Sequence, residues 1–123
     1  MANGKMVKRY VETVSRYGDE IQGYADAIAE FVGNDSNPRR FVAPNEWIFE
    51  RESDSDGARV AVLDDDVEIF RFRYSRSGNP DSFERVVWSK FVGPLARQIS
   101  ELTGRDDVVC VLVAEYLYAL TSV

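Results

Sequence analysis

Apolar side chains in the first quarter of the chain recur at alternating spacings of three and four. They fall into three ladders: Val7, Val14, Ile21 and Ile28; Tyr10, Tyr17, Tyr24 and Phe31; and Val11, Gly18, Ala25 and Val32. That period is helical, and charged residues (Lys8, Arg9, Glu12, Arg16, Asp19, Glu20, Asp26, Glu30) fill the positions between the ladders. The pattern predicts one helix over about 5–32, roughly 40 Å long at 1.5 Å per residue. Gly33-Asn34 supplies the stop. A stripe three positions wide suits a helix laid on a domain better than a bare two-stranded coiled coil. Gly18 and Gly23 each cost about 1 kcal/mol of helix propensity, so two helices joined near Gly18 are the alternative. Tyr10, Tyr17 and Tyr24 line one edge of the stripe. They serve either core packing, with hydroxyls at the rim, or a surface for a partner or a second copy.

The period then changes. Residues 34–45 are rich in Asn, Pro and Ser and read as a loop, with Arg39 and Arg40 as candidate contacts for a phosphate or an acidic partner. Three runs alternate with a period of two, at 46–52, 58–63 and 67–75. The first has Trp47 and Phe49 on one face and Glu46, Ile48 and Glu50 on the other. The third sets Phe70, Phe72 and Tyr74 against Ile69, Arg71 and Arg73. The turns between the runs, Ser53–Gly57 and Asp64-Asp65-Asp66, are short, which predicts a three-stranded antiparallel meander. Its polar face carries Glu50, Arg59, Arg71 and Arg73. The interleaved acids there argue for cross-strand charge pairs rather than a nucleic-acid stripe. The segment from Asp54 to Gly57 resembles part of an EF-hand loop, but its glycine and the position that should hold a glutamate are wrong for calcium. Asp64, Asp65 and Asp66 remain as candidate interface residues.

The helical period returns after Asp81. Phe83, Val87, Phe91, Leu95, Ile99 and Leu102 predict a helix over about 82–103, kinked or divided at Gly93-Pro94. Asp81 with Glu84 three residues later looks like a capping box. The run from Val108 to Leu120 has strand propensity, yet its less apolar positions (Asp107, Cys110, Ala114, Glu115, Tyr118, Thr121) recur every three to four residues. This favours a largely buried helix over about 107–121. The expected fold is a single α+β domain spanning 1–123: a long N-terminal helix, a three-stranded antiparallel meander, and two or three C-terminal helices packed on it.

Composition narrows the chemistry. The 123 residues include no histidine and one cysteine, Cys110, so Ser–His–Asp and Cys–His systems, multi-cysteine zinc sites and intrachain disulfides are excluded within one chain. No glycine-rich phosphate loop is present. No catalytic residue, cofactor or metal site is assigned. The net charge of −6 disfavours direct nucleic-acid binding and would steer in a basic protein partner. The absence of a long apolar run or a secretion-type opening leads to the expectation of a cytoplasmic protein with no membrane span. The leading expectation is a non-catalytic protein-binding module: a small acidic regulator, inhibitor or immunity-type protein whose partner is basic and handles nucleic acid. A self-associating structural or assembly subunit, a homodimer through the opening helix, is the alternative. A small carboxylate-based enzyme comes third.

Overall fold

The computed structural model describes the backbone from residue 2 to residue 123 and the side chains from residue 9 onward, so the side chain of Val7 lies outside the described set. The chain is α+β, with one four-stranded antiparallel sheet in the order β1-β2-β3-β4. Its elements are α1 (Ala2–Tyr17), α2 (Ile21–Val32), β1 (Arg40–Val42), β2 (Ile48–Ser53), β3 (Gly57–Asp64), β4 (Val67–Ser75), α3 (Phe83–Val87), a π-helical turn (Trp88–Val92), α4 (Gly93–Thr103) and α5 (Val108–Ser122).

The single long opening helix is corrected to two. Gly18, Asp19 and Glu20 form a turn closed by the Glu20 N–H donating to the Tyr17 carbonyl at 2.9 Å. The cause is local. A side chain at Gly18 would come within 2.9 Å of the Val14 carbonyl, so glycine is needed where the chain folds against its own last turn. After the break α1 runs over the π-helical turn and α4, whereas α2 packs on α4 and α5.

The meander has four strands, because part of the 34–45 loop pairs. Phe41 faces Phe49 in the β1–β2 register, and their rings stack at 4.6 Å. β1 has only three residues, and Pro38 and Pro44 flank it, so period two has no length in which to show. Its pairing is a tertiary effect. The β3–β4 hairpin turns on Asp65 and Asp66, both at positive φ (50° and 65°), as a two-residue primed turn requires. A bulge at Val62/Leu63 then corrects the face assignment of one residue. Ile69, expected beside Arg71 and Arg73, packs against the core instead, and Glu68 takes the outer position, where it binds Arg71 at 2.6 Å.

Ser82, not Asp81, caps α3, accepting from the Arg85 N–H at 3.2 Å; Glu84 reaches Arg73 instead of closing a capping box. The segment is divided at Gly93-Pro94, as expected: α4 begins there with Pro94 in its first turn. A π-helical turn absorbs the proline, with the Gly93 N–H donating to the Trp88 carbonyl and the missing Pro94 N–H falling in the widened turn. α5 is a helix, as its polar spacing predicts. Asp107 caps it by accepting from the Val109 N–H at 3.1 Å, and Val109–Ala119 are buried apart from Val111.

The helices cover one face of the sheet. Phe41, Phe49, Val60, Val62, Phe72 and Tyr74 point into that interface and meet Leu112, Tyr116 and Tyr118 of α5 together with Ile21, Ala25 and Ile28 of α2. Phe49 and Phe72 contact Tyr116 and Tyr118 edge-on at 6.1 and 4.9 Å. No described helix is long and apolar enough to cross a membrane.

Candidate functional site

The two faces of the sheet hold charge in different ways. On the inner face β2 delivers Arg51 into the core, at the same alternation as Phe49, and α5 delivers Glu115. The two are 5% and 0% exposed. Arg51 Nε donates to Glu115 Oε1 at 2.7 Å and Nη2 to Oε2 at 3.2 Å. Arg51 Nη1 donates to the Pro38 carbonyl at 2.7 Å, and the Tyr74 hydroxyl donates to Glu115 Oε2 at 2.6 Å. Burial by itself would lower the Arg51 pKa, but the charge and hydrogen bonds of Glu115 outweigh it and hold the guanidinium above its ordinary value. Burial and then the Glu115 carboxylate push the Tyr74 phenol well above its usual range. Both carboxylate oxygens are occupied, and no described buried side-chain polar atom lacks a partner. The cluster therefore ties the 34–39 segment, β2, β4 and α5 together. Its hydrogen-bonding capacity is spent inside the fold, and Glu115 lines none of the concavities described below.

The sequence signal for this cluster was present. Arg51 shares its strand face with Phe49, and Glu115 is the only charge between Val108 and Leu120. Opposite charges at two core positions of a small domain have to meet.

Among the described residues only the first turn of α3, through Phe83 and Glu84, borders the outer face. Alternation and register place three rows across it. Arg40, Glu50, Ala61 and Arg71 form one, and Glu52, Arg59 and Arg73 a second. The third is Val42, Ile48 and Leu63, cross-strand neighbours that are only partly buried and, like Ala61, take no part in the core cluster. A broad concavity of about 1210 Å³ spans the two charged rows, and Phe83, 62% exposed, stands at its edge. Arg71 is held by Glu68 and Arg73 by Glu84. Arg59 lies directly opposite Arg73, an arrangement of like charges that costs a few tenths of a kcal/mol.

The residues singled out from the sequence separate. Tyr10, Tyr17 and Tyr24 are half-buried against the core, and Tyr24 meets Tyr116 edge-on at 5.3 Å, so the packing reading describes them. Arg39 is exposed at the edge of the outer concavity; Arg40, also exposed, begins β1 and belongs to the outer face. Asp64, Asp65 and Asp66 are exposed at the β3–β4 turn, away from both arginines along the strands. Among the described residues no group of acids and cysteine is placed to hold a metal ion. Asp54 and Asp56 are spent on turn geometry: Asp54 accepts from the Asp56 and Gly57 N–H groups at 2.8 and 2.9 Å. The Ser77 and Ser75 hydroxyls hold the Asp56 carboxyl below its ordinary range.

Cys110 is buried, which pushes its thiol pKa up. It lies at a shallow groove of about 580 Å³ between the π-helical turn, α4 and the first turn of α5. Ser89 of the π-helical turn and Gly93, Ala96 and Ser100 of α4 line one side of this groove. No family model, curated protein or solved structure matches the chain.

Proposed function

We propose that this chain is a non-catalytic protein-binding module, of the small acidic regulator, inhibitor or immunity type, and that the outer face of the sheet is its docking surface. The observation that carries the reading is the partly exposed apolar row Val42–Ile48–Leu63 beside rows of arginine and glutamate, on the sheet face opposite the core. Apolar side chains bordered by charged ones are the usual anatomy of a specific protein interface. The chemistry elsewhere agrees. The buried carboxylate is fully engaged, the single thiol is buried with a raised pKa, and the tyrosines of α1 and α2 are turned inward.

A photo-crosslinking amino acid at position 61, in the centre of the outer face, tests the reading in the native host. The expected result is a discrete protein adduct at position 61 and none at a control position on the exposed side of α2, such as Gln22. Equal labelling at both positions, or no protein adduct at position 61, would overturn it.

A further inference from the structure

We infer that the outer sheet face binds a second copy of this chain, packing sheet on sheet about a two-fold axis that runs along the strands between β2 and β3. The inference rests on the outer face being a docking surface and names its occupant.

The register of the two central strands decides the occupant, because there the face is its own complement, whereas at the edge strands Val42 of one copy meets Glu68 of the other. Ile48 of β2 pairs with Leu63 of β3, and Glu52 of β2 pairs with Arg59 of β3. A two-fold axis between these strands exchanges β2 with β3 and keeps each row at its own height. It therefore lays Ile48 of one copy on Leu63 of the other, and Glu52 of one on Arg59 of the other, each contact made twice. The carboxylate arriving over Arg59 also relieves the like-charge pair that Arg59 makes with Arg73 inside the sheet. The same operation sets Arg40 over Arg71 at opposite corners. There Arg71 is already paired with Glu68, which offsets the approach of like charges.

Charge balance points the same way. The two charged rows carry Arg40, Arg59, Arg71 and Arg73 against Glu50 and Glu52, while Glu68 and Glu84 neutralise Arg71 and Arg73. The face is thus neutral in a chain of net charge −6, and two copies can bring it together while their acidic surfaces stay apart. Its size sets the strength. Three strands of six residues and β1 with three, at about 4.8 Å between strands and about 3.4 Å per residue, give a face of roughly 340 Å². Twice that area is below what a standard specific interface buries, so the dimer is expected to be weak and to form only at high protein concentration.

Charge exchange tests this directly on the full chain. Wild type, Glu52→Arg and Arg59→Glu are compared by sedimentation velocity up to about 500 µM, and the two variants are also measured as a mixture. Both positions are exposed, and circular dichroism checks that each variant is folded. Wild type is expected to dimerise. Each variant alone should lose about tenfold or more in affinity, because both of its inter-copy pairs become like-charged. The mixture should recover dimer as the mixed species, in which both pairs are again opposite. A wild type that stays monomeric, variants that dimerise as well as wild type, or a mixture no tighter than its components would each overturn the proposal. If wild type is monomeric but position 61 crosslinks to a different host protein, the docking surface stands and only its occupant is wrong.

Discussion

The inner and outer faces of the sheet use the same residue types for opposite ends. On the inner face one arginine and one glutamate are removed from water, and each of their side-chain nitrogen and oxygen atoms has a partner within the domain. On the outer face arginines and glutamates stay wet, and Arg59 faces another arginine while an aliphatic row lies uncovered beside it. Buried ions must be satisfied for the chain to fold at all, whereas exposed ions have little leverage on folding and are free to specify what docks. Charge on the inner face should therefore appear in stability, and charge on the outer face in association.

The largest expected effect is on the inner face. Glu115→Ala leaves the Arg51 guanidinium buried without its counter-ion and should cost about 3–5 kcal/mol in urea unfolding, enough to unfold much of the population. The double variant Arg51→Met/Glu115→Leu removes both charges and should regain most of that loss. A double variant no more stable than Glu115→Ala would show that the ion pair does more than neutralise itself. Tyr74→Phe removes one hydrogen bond to a charged acceptor and should cost about 1.5–3 kcal/mol.

A pH dependence follows from the same burial. Desolvation raises the Tyr116 phenol to about 12 and also raises Tyr118, while the unfolded chain ionises near 10. A raised folded pKa gives stability that is complete below pH 10 and is lost as pH rises from 10 toward about 12. Urea midpoints should decline gently from about pH 8.5, where the Cys110 thiol ionises first in the unfolded chain, and fall steeply above pH 10, less steeply in Tyr116→Phe. A midpoint that rises through that window would contradict the assignment. The smallest effect belongs to the outer face: Arg59→Ala should change unfolding stability by no more than about 0.5 kcal/mol in either direction.

Much of this arrangement was legible in the sequence where a period had room to run. The two C-terminal helical segments and the three longer strands follow from spacing alone, as does the inward face of Phe70, Phe72 and Tyr74. The misses have physical causes. The ladders continue across Gly18 because the turn there keeps both helices facing one core, so the break does not disturb the hydrophobic register. β1 is too short to alternate. The bulge beside Leu63 moves Ile69 inward by a tertiary choice that no propensity encodes. The outer face was half legible. Its arginines and glutamates were evident, but its aliphatic row depends on knowing that Val42, Ile48 and Leu63 are cross-strand neighbours. Arg51 and Glu115 carried a signal, a charge at a core position in each of two elements, that becomes decisive only when the elements are seen to face each other.

Leu63→Glu, measured for both folding and association, tests the division between the two faces most directly. Leu63 follows Val62 in β3 and points to the other side of the sheet. The account predicts a folded protein with an unfolding free energy within about 1 kcal/mol of wild type and no detectable dimer or position-61 adduct. An unfolded variant would place Leu63 in the core, and a folded variant that still associates would remove the outer face from the interface.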